Sequence, residues 1–348
     1  MTKKWNSLDF ARVVAMLAVI MIHVSSTYIG APSGYSIFGV NPSFALNQFS
    51  RFAVPLFIFM SGLTLALNDR PMPYAKFIKK RLKKIGIPYL IWCLVYYIYH
   101  DGAGLWELKA KGLSNIPAFF QSVLRGDLAP HLYFIVIIVQ LYLIFPWLKK
   151  WVDAKPVQAL IASFALMFCF QEIFMIQYFG LNLVSQTTLA SLVRFFPTWI
   201  FYFVLGIFIT KERLVVLSDF AEQHRISLMV LMVSFAACYV LESKASGYID
   251  SIRPQLLIYV VLVFVCCLGF SPVFEKSKCF LKVNSFLAKH SMTIYFGHVL
   301  CLCFLRRFAI FEQGTQGMLL LYVAVFVSAV LIAVVLDFRL PHKTQRSL

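Results

Sequence analysis

The chain has 348 residues, of which 60% are hydrophobic and 14% are charged, and its mean hydropathy is +0.78. Soluble domains carry about 25% charged residues, so the composition excludes an ordinary soluble enzyme, a disordered chain and a secreted disulfide scaffold. A net charge of +17 would suggest nucleic acid in a soluble protein. Here the location of the charge along the chain indicates a membrane instead, and no nucleic-acid partner is expected.

Apolar segments of membrane-spanning length recur along the whole chain. We predict ten spans, at residues 8–27, 44–67, 85–99, 131–148, 157–176, 194–210, 226–242, 254–270, 290–305 and 317–337. With a cytoplasmic N-terminus, 22 of the 32 lysines and arginines fall in inner segments and 7 in outer loops, as the positive-inside rule requires. The sequence therefore predicts an all-α membrane bundle of about ten transmembrane helices, with both termini cytoplasmic. We expect one membrane-embedded domain over residues 1–348 and no fused soluble domain.

Motifs of soluble enzymes do not occur in this sequence. It contains no glycine-rich phosphate loop, zinc-protease motif or serine-hydrolase motif, and its cysteines and histidines lack metal-ligand spacing, so no metal site is expected. Any chemistry must come from ionisable groups in or beside the spans. Each such group costs about 2.5–3.5 kcal/mol to insert, so its presence requires a reason.

The first span contains Arg12 and His23, which are eleven residues apart. On a helix this spacing places both on one face, about 16 Å apart along the axis. Arg12 would lie near the cytoplasmic surface and His23 about two-thirds of the way across. A structural arginine and a hydrogen-bonded core histidine would explain the pair. A functional explanation is an anion clamp with a titratable base deeper in the membrane, because a neutral imidazole suits general-base work on a hydroxyl.

A cluster of five cations precedes the third span, within the run FIKKRLKKIGIPYL at residues 77–90. Such a cluster can anchor lipid headgroups, or it can bind a polyanionic ligand, with Arg81 supplying bidentate phosphate contacts. A cytoplasmic phosphate site and a base buried part-way across the bilayer suit a donor with a charged head and a long thin reactive arm. Coenzyme A thioesters have this shape.

Six runs, in order along the chain, resemble the acyltransferase 3 family of multi-pass membrane O-acyltransferases. They are LDFARVVAMLAVIMIH (8–23), FAVPLFIFMSG (52–62), FIKKRLKKIGIPYL (77–90), HLYFIVIIVQLYLIFPWL (131–148), FYFVLGIFI (201–209) and SMTIYFGH (291–298). The first contains the family's Arg, ten residues, then His. The third resembles its Arg-x-x-Arg motif, although Lys84 stands where the family has the second arginine.

The resemblance implies roles for several residues. His23 would be the catalytic base or the residue that handles the acyl group, with Arg12 beside it. Arg12 and Arg81, together with Lys84 and its neighbour Lys80, would bind acyl-CoA. The resemblance also implies transfer of an acyl group, usually acetyl, to a carbohydrate hydroxyl at a bacterial cytoplasmic membrane. Acyl-CoA would be a co-substrate, and no tightly bound cofactor is expected.

A second set of residues is expected to support this site or to bind the acceptor. Arg51 would bind an anion or pair with Asp9 or Glu242, and His298 would support the site or donate a structural hydrogen bond. The remaining candidates are His131, Tyr133 and Glu172, for which an interfacial or structural role is the alternative.

Several alternatives remain open from the sequence. His23 could act directly as a base, or a covalent acyl relay could operate. The acyl group could be acetyl or larger, and the acceptor could be a surface polysaccharide or a lipid-linked intermediate, with other envelope-synthesis proteins as partners. Ten spans with intramembrane charges also fit a transporter or exporter of a glycan precursor, although no inverted repeat is visible. A structural subunit of an envelope synthase is a further alternative.

Overall fold

The computed structural model describes residues 6–30, 36, 39–100, 116–180, 183–247, 250–311 and 314–339. Regular structure within these ranges is helical. The α-helices are α1 (Asn6–Ser26), α2 (Pro42–Phe49), α3 (Ala53–Leu67), α4 (Tyr74–His100), α5 (Ile116–Arg125), α6 (Tyr133–Ala154), α7 (Pro156–Tyr178), α8 (Gln186–Val193), α9 (Ile200–Phe208), α10 (Lys211–Gln223), α11 (Arg225–Ser246), α12 (Leu256–Phe274), α13 (Lys278–Leu305) and α14 (Gly314–Arg339). Short 3₁₀ helices cover Phe196–Trp199 and Ala309–Phe311.

Seven helical segments of the described chain are long and apolar enough to cross a membrane. They are α1, α2 with α3, α6, α7, α11, α12 and most of α14. An eighth is added if α8 and the segment Phe196–Phe208, which meet at 54°, form one broken span. The predicted all-helical membrane class is therefore confirmed.

The third and ninth predicted spans lie within α4 and α13, which are not among the seven. Both helices begin with a basic, polar half, so only their second halves are apolar. The count of ten spans thus stays a prediction. So does the cytoplasmic location of the termini, because residues 1–5 and 340–348 lie outside the described ranges.

The second span is broken by a short turn between α2 and α3. Asn41 caps α2 by accepting a hydrogen bond from the Ser43 amide, and Pro42 opens the first turn, which are the residue types that helix N-termini favour. After α2, the backbone amides of Ser50 and Arg51 bond back to carbonyls of the last turn. α3 then begins at Ala53, so the side chain of Arg51 projects from the interruption.

The chain divides into two compact units, Met1–Met60 with Ile209–Leu348, and Ser61–Phe208. In the first unit, α1 packs against α2, α12, α13 and α14. Met16, Ile20 and Val24, four residues apart on α1, form one buried stripe in the apolar core of this unit, as helical periodicity dictates. His23 lies next to this stripe on the helix surface, so the side of α1 that contains His23 also faces the packed interior of the unit.

The second unit contains α4 to α9 and the second half of α3. Gly62 on α3 lies so close to α9 that a Cβ there would come within 2.1 Å of the Phe203 carbonyl oxygen, so only glycine fits. α4 and α6 pack together, with the rings of Phe77 and Phe145 stacked at 5.5 Å and the Tyr74 hydroxyl 3.1 Å from the Leu143 carbonyl oxygen. The start of α4 therefore lies beside the second half of α6.

Candidate functional site

Two histidines from distant parts of the sequence meet inside the first unit. His23 on α1 and His298 on α13 have ring centroids 5.2 Å apart, with an angle of 49° between the ring planes. The His298 side chain is fully buried, and the His23 side chain is half-buried. The packing of α1 against α13 thus creates an imidazole pair within an apolar bundle.

A backbone contact determines how His298 is oriented. Its Nδ1 atom lies 2.6 Å from the Tyr295 carbonyl oxygen, and a carbonyl oxygen can only accept. Nδ1 therefore carries a hydrogen, and in the neutral ring the lone pair lies on Nε2. The ring of Tyr295 packs against His298 at 5.9 Å and against Phe57 at 6.3 Å, which restricts the imidazole further.

Asn47 holds the side chain of Arg51 and also bonds to the turn of α1 that contains His23. The Asn47 Oδ1 atom accepts hydrogen bonds from Nε and Nη2 of Arg51, at 3.0 and 2.6 Å. The Asn47 Nδ2 atom lies 3.0 Å from the Ile22 carbonyl oxygen and 3.0 and 2.9 Å from the hydroxyls of Ser25 and Ser26. One fully buried amide thus connects the interruption in the second span to the turn of α1 that contains His23.

This arrangement brings a positive charge near the imidazole pair. Arg51 lies within electrostatic range of His23. The two carboxylates that the sequence offered as partners for Arg51 are bound by other arginines. Asp9 accepts a hydrogen bond from Arg12, and Glu242 forms an ion pair with Arg253.

Gln48 extends the same network. Its Nε2 atom donates to Asn47 Oδ1 at 3.1 Å, and its side chain is fully buried. Its Oε1 atom has no hydrogen-bond partner within the described residues. Neither Asn47 nor Gln48 was expected to belong to the site. With Arg51 they form a run of three polar side chains in five consecutive positions inside a predicted span, and this pattern is a signal that the sequence does carry.

Arg12 is separated from the imidazole pair. Eleven residues of α1 place it about 16 Å from His23 along the helix axis. Its Nη1 atom donates to Asp9 Oδ1 at 3.0 Å, and its side chain is 31% exposed. The structure therefore groups His23 with His298 and Arg51, and it leaves Arg12 at the opposite end of the same helix.

Arg253, which follows the seventh predicted span and counts among the cations of the outer loops, is a buried arginine. Its side chain is 1% exposed and donates to Glu242 and, at 3.2 Å, to the Ser243 hydroxyl. The guanidinium also lies 5.4 Å from the centre of the Tyr239 ring. These contacts tie the loop before α12 to the end of α11, and a buried cation held by an ion pair in this way is structural in character.

The basic half of α4 lies in the second unit. Lys80 and Lys84 are exposed, whereas the Arg81 guanidinium lies 5.4 Å from the Phe77 ring centre and 6.0 Å from that of Tyr142. These distances are within the range of cation–π contacts. The buried Nε atom of Arg81 has no hydrogen-bond partner within the described residues. Aromatic side chains therefore hold Arg81 in place among the exposed lysines of α4.

The other predicted residues of the second unit are dispersed. His131 is buried and packs edge-on against the Tyr96 ring at 5.4 Å. Tyr133 opens α6 and lines an open cavity near Arg194. Glu172 on α7 is half-buried. Across the described ranges, no group of three or more potential metal ligands occurs.

Long apolar helices with imidazole and guanidinium groups on their packed faces define an integral membrane protein with a polar centre inside one helical unit. The family model described as an acyltransferase domain matches residues 5–338. The chain therefore belongs to this acyltransferase family, which confirms the resemblance seen in its sequence.

A Bacillus subtilis (strain 168) protein named "Putative membrane-bound acyltransferase YfiQ" is similar to this chain. The two are 26% identical over 302 residues, which cover 82% of this chain and 78% of the relative. No solved structure matches the chain.

Proposed function

We propose that the protein is an O-acyltransferase that moves an acyl group, acetyl in the simplest case, from cytoplasmic acyl-CoA to a hydroxyl of an extracytoplasmic or lipid-linked polysaccharide. The observation that carries this proposal is the His23–His298 pair at 5.2 Å, beside Arg51. An imidazole inside an apolar helical unit is suited to accept a proton from a hydroxyl.

The reaction we propose has His23 as the general base. The acceptor hydroxyl oxygen attacks the thioester carbonyl carbon while His23 takes the hydroxyl proton. The carbon–sulfur bond then breaks, and the leaving thiolate receives that proton, so the products are an O-acyl ester and free CoA. Arg51 supplies positive charge where negative charge develops on the carbonyl oxygen. His298, whose Nδ1–H is committed to Tyr295, supports the His23 ring.

The donor would bind through the basic half of α4. Arg81 has hydrogen-bond donors to offer to phosphate oxygens, and the exposed Lys80 and Lys84 add positive charge. A planar guanidinium favours bidentate phosphate contacts. Arg12, at the same predicted side of the membrane, would contact the donor near the start of α1.

The proposed setting follows from the charge distribution of the sequence. It includes about ten spans, cytoplasmic termini and location in a bacterial inner membrane, because basic residues favour cytoplasmic loops and anionic headgroups. In this orientation the CoA head stays in the cytoplasm and only the acyl group passes outward. Other proteins of envelope polysaccharide synthesis would then supply the acceptor.

The test is the O-acyl content of surface polysaccharide in a deletion strain. Complementation with wild-type protein is expected to restore O-acylation, and His23→Ala at matched expression is expected to abolish it. His224→Ala is the control, since His224 is an exposed histidine whose ring contacts Phe220; it should behave as wild type. Restoration by His23→Ala would contradict the proposed mechanism. Unchanged acylation with altered glycan export, and no CoA release by purified protein, would favour transport.

A further inference from the structure

An open cavity of about 230 Å³ lies in the second unit, at the end where α5 and α8 finish and α6 begins. Its walls come from the turn after α5, from Tyr133 and from the end of α8; the lining residues are Gly126, Asp127, Ala129, Pro130, Tyr133, Ala190, Val193 and Arg194. The volume is several times the roughly 30 Å³ that one water occupies, and it is smaller than the roughly 300–1,000 Å³ of sites for drug-sized ligands. A ligand the size of one sugar ring matches this space.

The first wall is held by a turn that requires glycine. Gly126 has a φ of +68°, and a Cβ there would come within 2.8 Å of the Tyr133 backbone. Its amide and that of Asp127 both bond to the Ser122 carbonyl oxygen, at 2.8 and 3.3 Å. This turn is pressed against the first residue of α6, so Asp127 is presented at the mouth of the cavity.

The second wall is attached to the same helix. Gln140 of α6 donates to the Arg194 carbonyl oxygen at 2.8 Å and accepts from the Phe196 amide at 3.2 Å. The Arg194 side chain donates from Nη1 to the Ala190 carbonyl oxygen at 3.2 Å. Because α6 anchors both walls, the cavity exists before any ligand arrives.

The chemistry of the lining favours a polyhydroxylated, uncharged group. Neither Asp127 nor Arg194 forms an ion pair within the described residues, although both border the same cavity. A carboxylate accepts hydrogen bonds only, and a guanidinium with one of its five donors engaged retains four. Sugar hydroxyls can donate to the first and accept from the second, while an apolar sugar face packs on the Tyr133 ring.

The cavity and the basic half of α4 contact different parts of α6. Arg81 contacts Tyr142, nine residues along α6 from Tyr133, which corresponds to about 14 Å. If CoA binds at Arg81, an outer ligand can therefore occupy the cavity at the same time.

We propose that this cavity, formed around Asp127, Tyr133 and Arg194, binds one sugar unit of the glycan acceptor. The proposal rests on the proposed function and specifies where the acceptor is held. Of the acceptor residues expected from the sequence, His131, Tyr133 and Glu172, only Tyr133 lines this cavity.

The experiment uses the full chain in lipid nanodiscs, with acetyl-CoA and chemically de-O-acylated surface polysaccharide from the host. Asp127→Asn and Arg194→Gln are each expected to raise the KM for polysaccharide about tenfold, as loss of a charge-assisted hydrogen bond does. The KM for acetyl-CoA should stay unchanged. Arg125→Gln and Asp219→Asn, which alter exposed charges that do not line the cavity, are the matched controls.

A third variant tests whether the ligand occupies the volume of the cavity, and it does so without removing a charge. Ala190→Trp places bulk at the cavity wall and is expected to raise the KM for polysaccharide by a similar factor. Wild-type KM values in all three cavity variants, with His23-dependent transfer intact, would overturn the pocket and leave the proposed function standing. Absence of transfer by wild-type protein would overturn both. If the variants respond instead to exchange of phosphatidylethanolamine for phosphatidylglycerol, and not to polysaccharide concentration, the cavity binds a lipid headgroup and the proposal is wrong.

Discussion

Replacement of Asn47 by alanine should uncouple Arg51 from the histidine pair. The amide oxygen accepts three hydrogen bonds, two from Arg51 and one from Gln48. The amide nitrogen has two hydrogens to share among Ile22, Ser25 and Ser26. Five bonds at an average of about 0.6 kcal/mol each in membrane proteins amount to about 3 kcal/mol. We expect the free energy of unfolding in detergent to fall by this amount.

Asn68→Ala is the matched control for that measurement. Asn68 is exposed and donates one hydrogen bond, at 2.9 Å, to the Thr64 carbonyl oxygen. Surface substitutions of this kind change stability by less than about 0.5 kcal/mol. Equal destabilisation by Asn47→Ala and Asn68→Ala would refute the idea that the buried amide joins α2 to α1.

A double-mutant cycle can measure how much the contact between Asn47 and Arg51 contributes to the rate of acyl transfer. We expect Asn47→Ala and Arg51→Ala each to lower the rate of acyl transfer by about tenfold or more, since each removes the oriented cation beside His23. Because the two side chains act as one unit, the double variant should be no slower than the slower single variant. Rate losses that multiply in the double variant would show that Asn47 does not act through Arg51.

Three other outcomes are expected. His298→Gln should lower the transfer rate, measured by CoA release, about tenfold or more. It should leave acyl-CoA binding unchanged, as measured by ligand titration of the purified protein. Arg81→Ala should weaken acyl-CoA binding about tenfold, with Arg81→Lys only partly restoring it because lysine lacks the planar fork; full restoration would contradict bidentate binding. Gly62→Ala should lower the melting temperature, since its Cβ would meet the Phe203 carbonyl oxygen at 2.1 Å, at a cost of about 1–3 kcal/mol or more. Gly86→Ala, whose Cβ meets only a side-chain atom at 4.0 Å, should leave it unchanged or raised.

Hydropathy was sufficient to predict the helical membrane class, because a span must satisfy its own backbone hydrogen bonds and be apolar over its length. It was less informative for α4 and α13, where a basic half and an apolar half share one helix. The sequence alone does not say how much of such a helix enters the membrane.

The site illustrates the same limit at the level of side chains. The eleven-residue spacing of Arg12 and His23 follows from helical periodicity within one segment. The contact between His23 and His298 depends on how α1 packs against a helix some 270 residues later in the chain, and no local pattern encodes that packing. Asn47 could not be assigned a role from the sequence because its amide is uncharged and its partners lie on another helix. Its hydrogen bonds connect α2 to α1.

The interruption in the second span also bears on how the chain enters the membrane. Pro42–Leu67 contains the polar side chains of Asn47, Gln48 and Arg51 within a segment that must leave the translocon, and an arginine at mid-bilayer costs about 2.5–3.5 kcal/mol. Asn47 accepts hydrogen bonds from Arg51 and donates to groups on α1, so the network offsets part of this cost. The two segments are therefore expected to insert as a helical hairpin, so that substitutions in the network lower the yield of inserted protein as well as its activity.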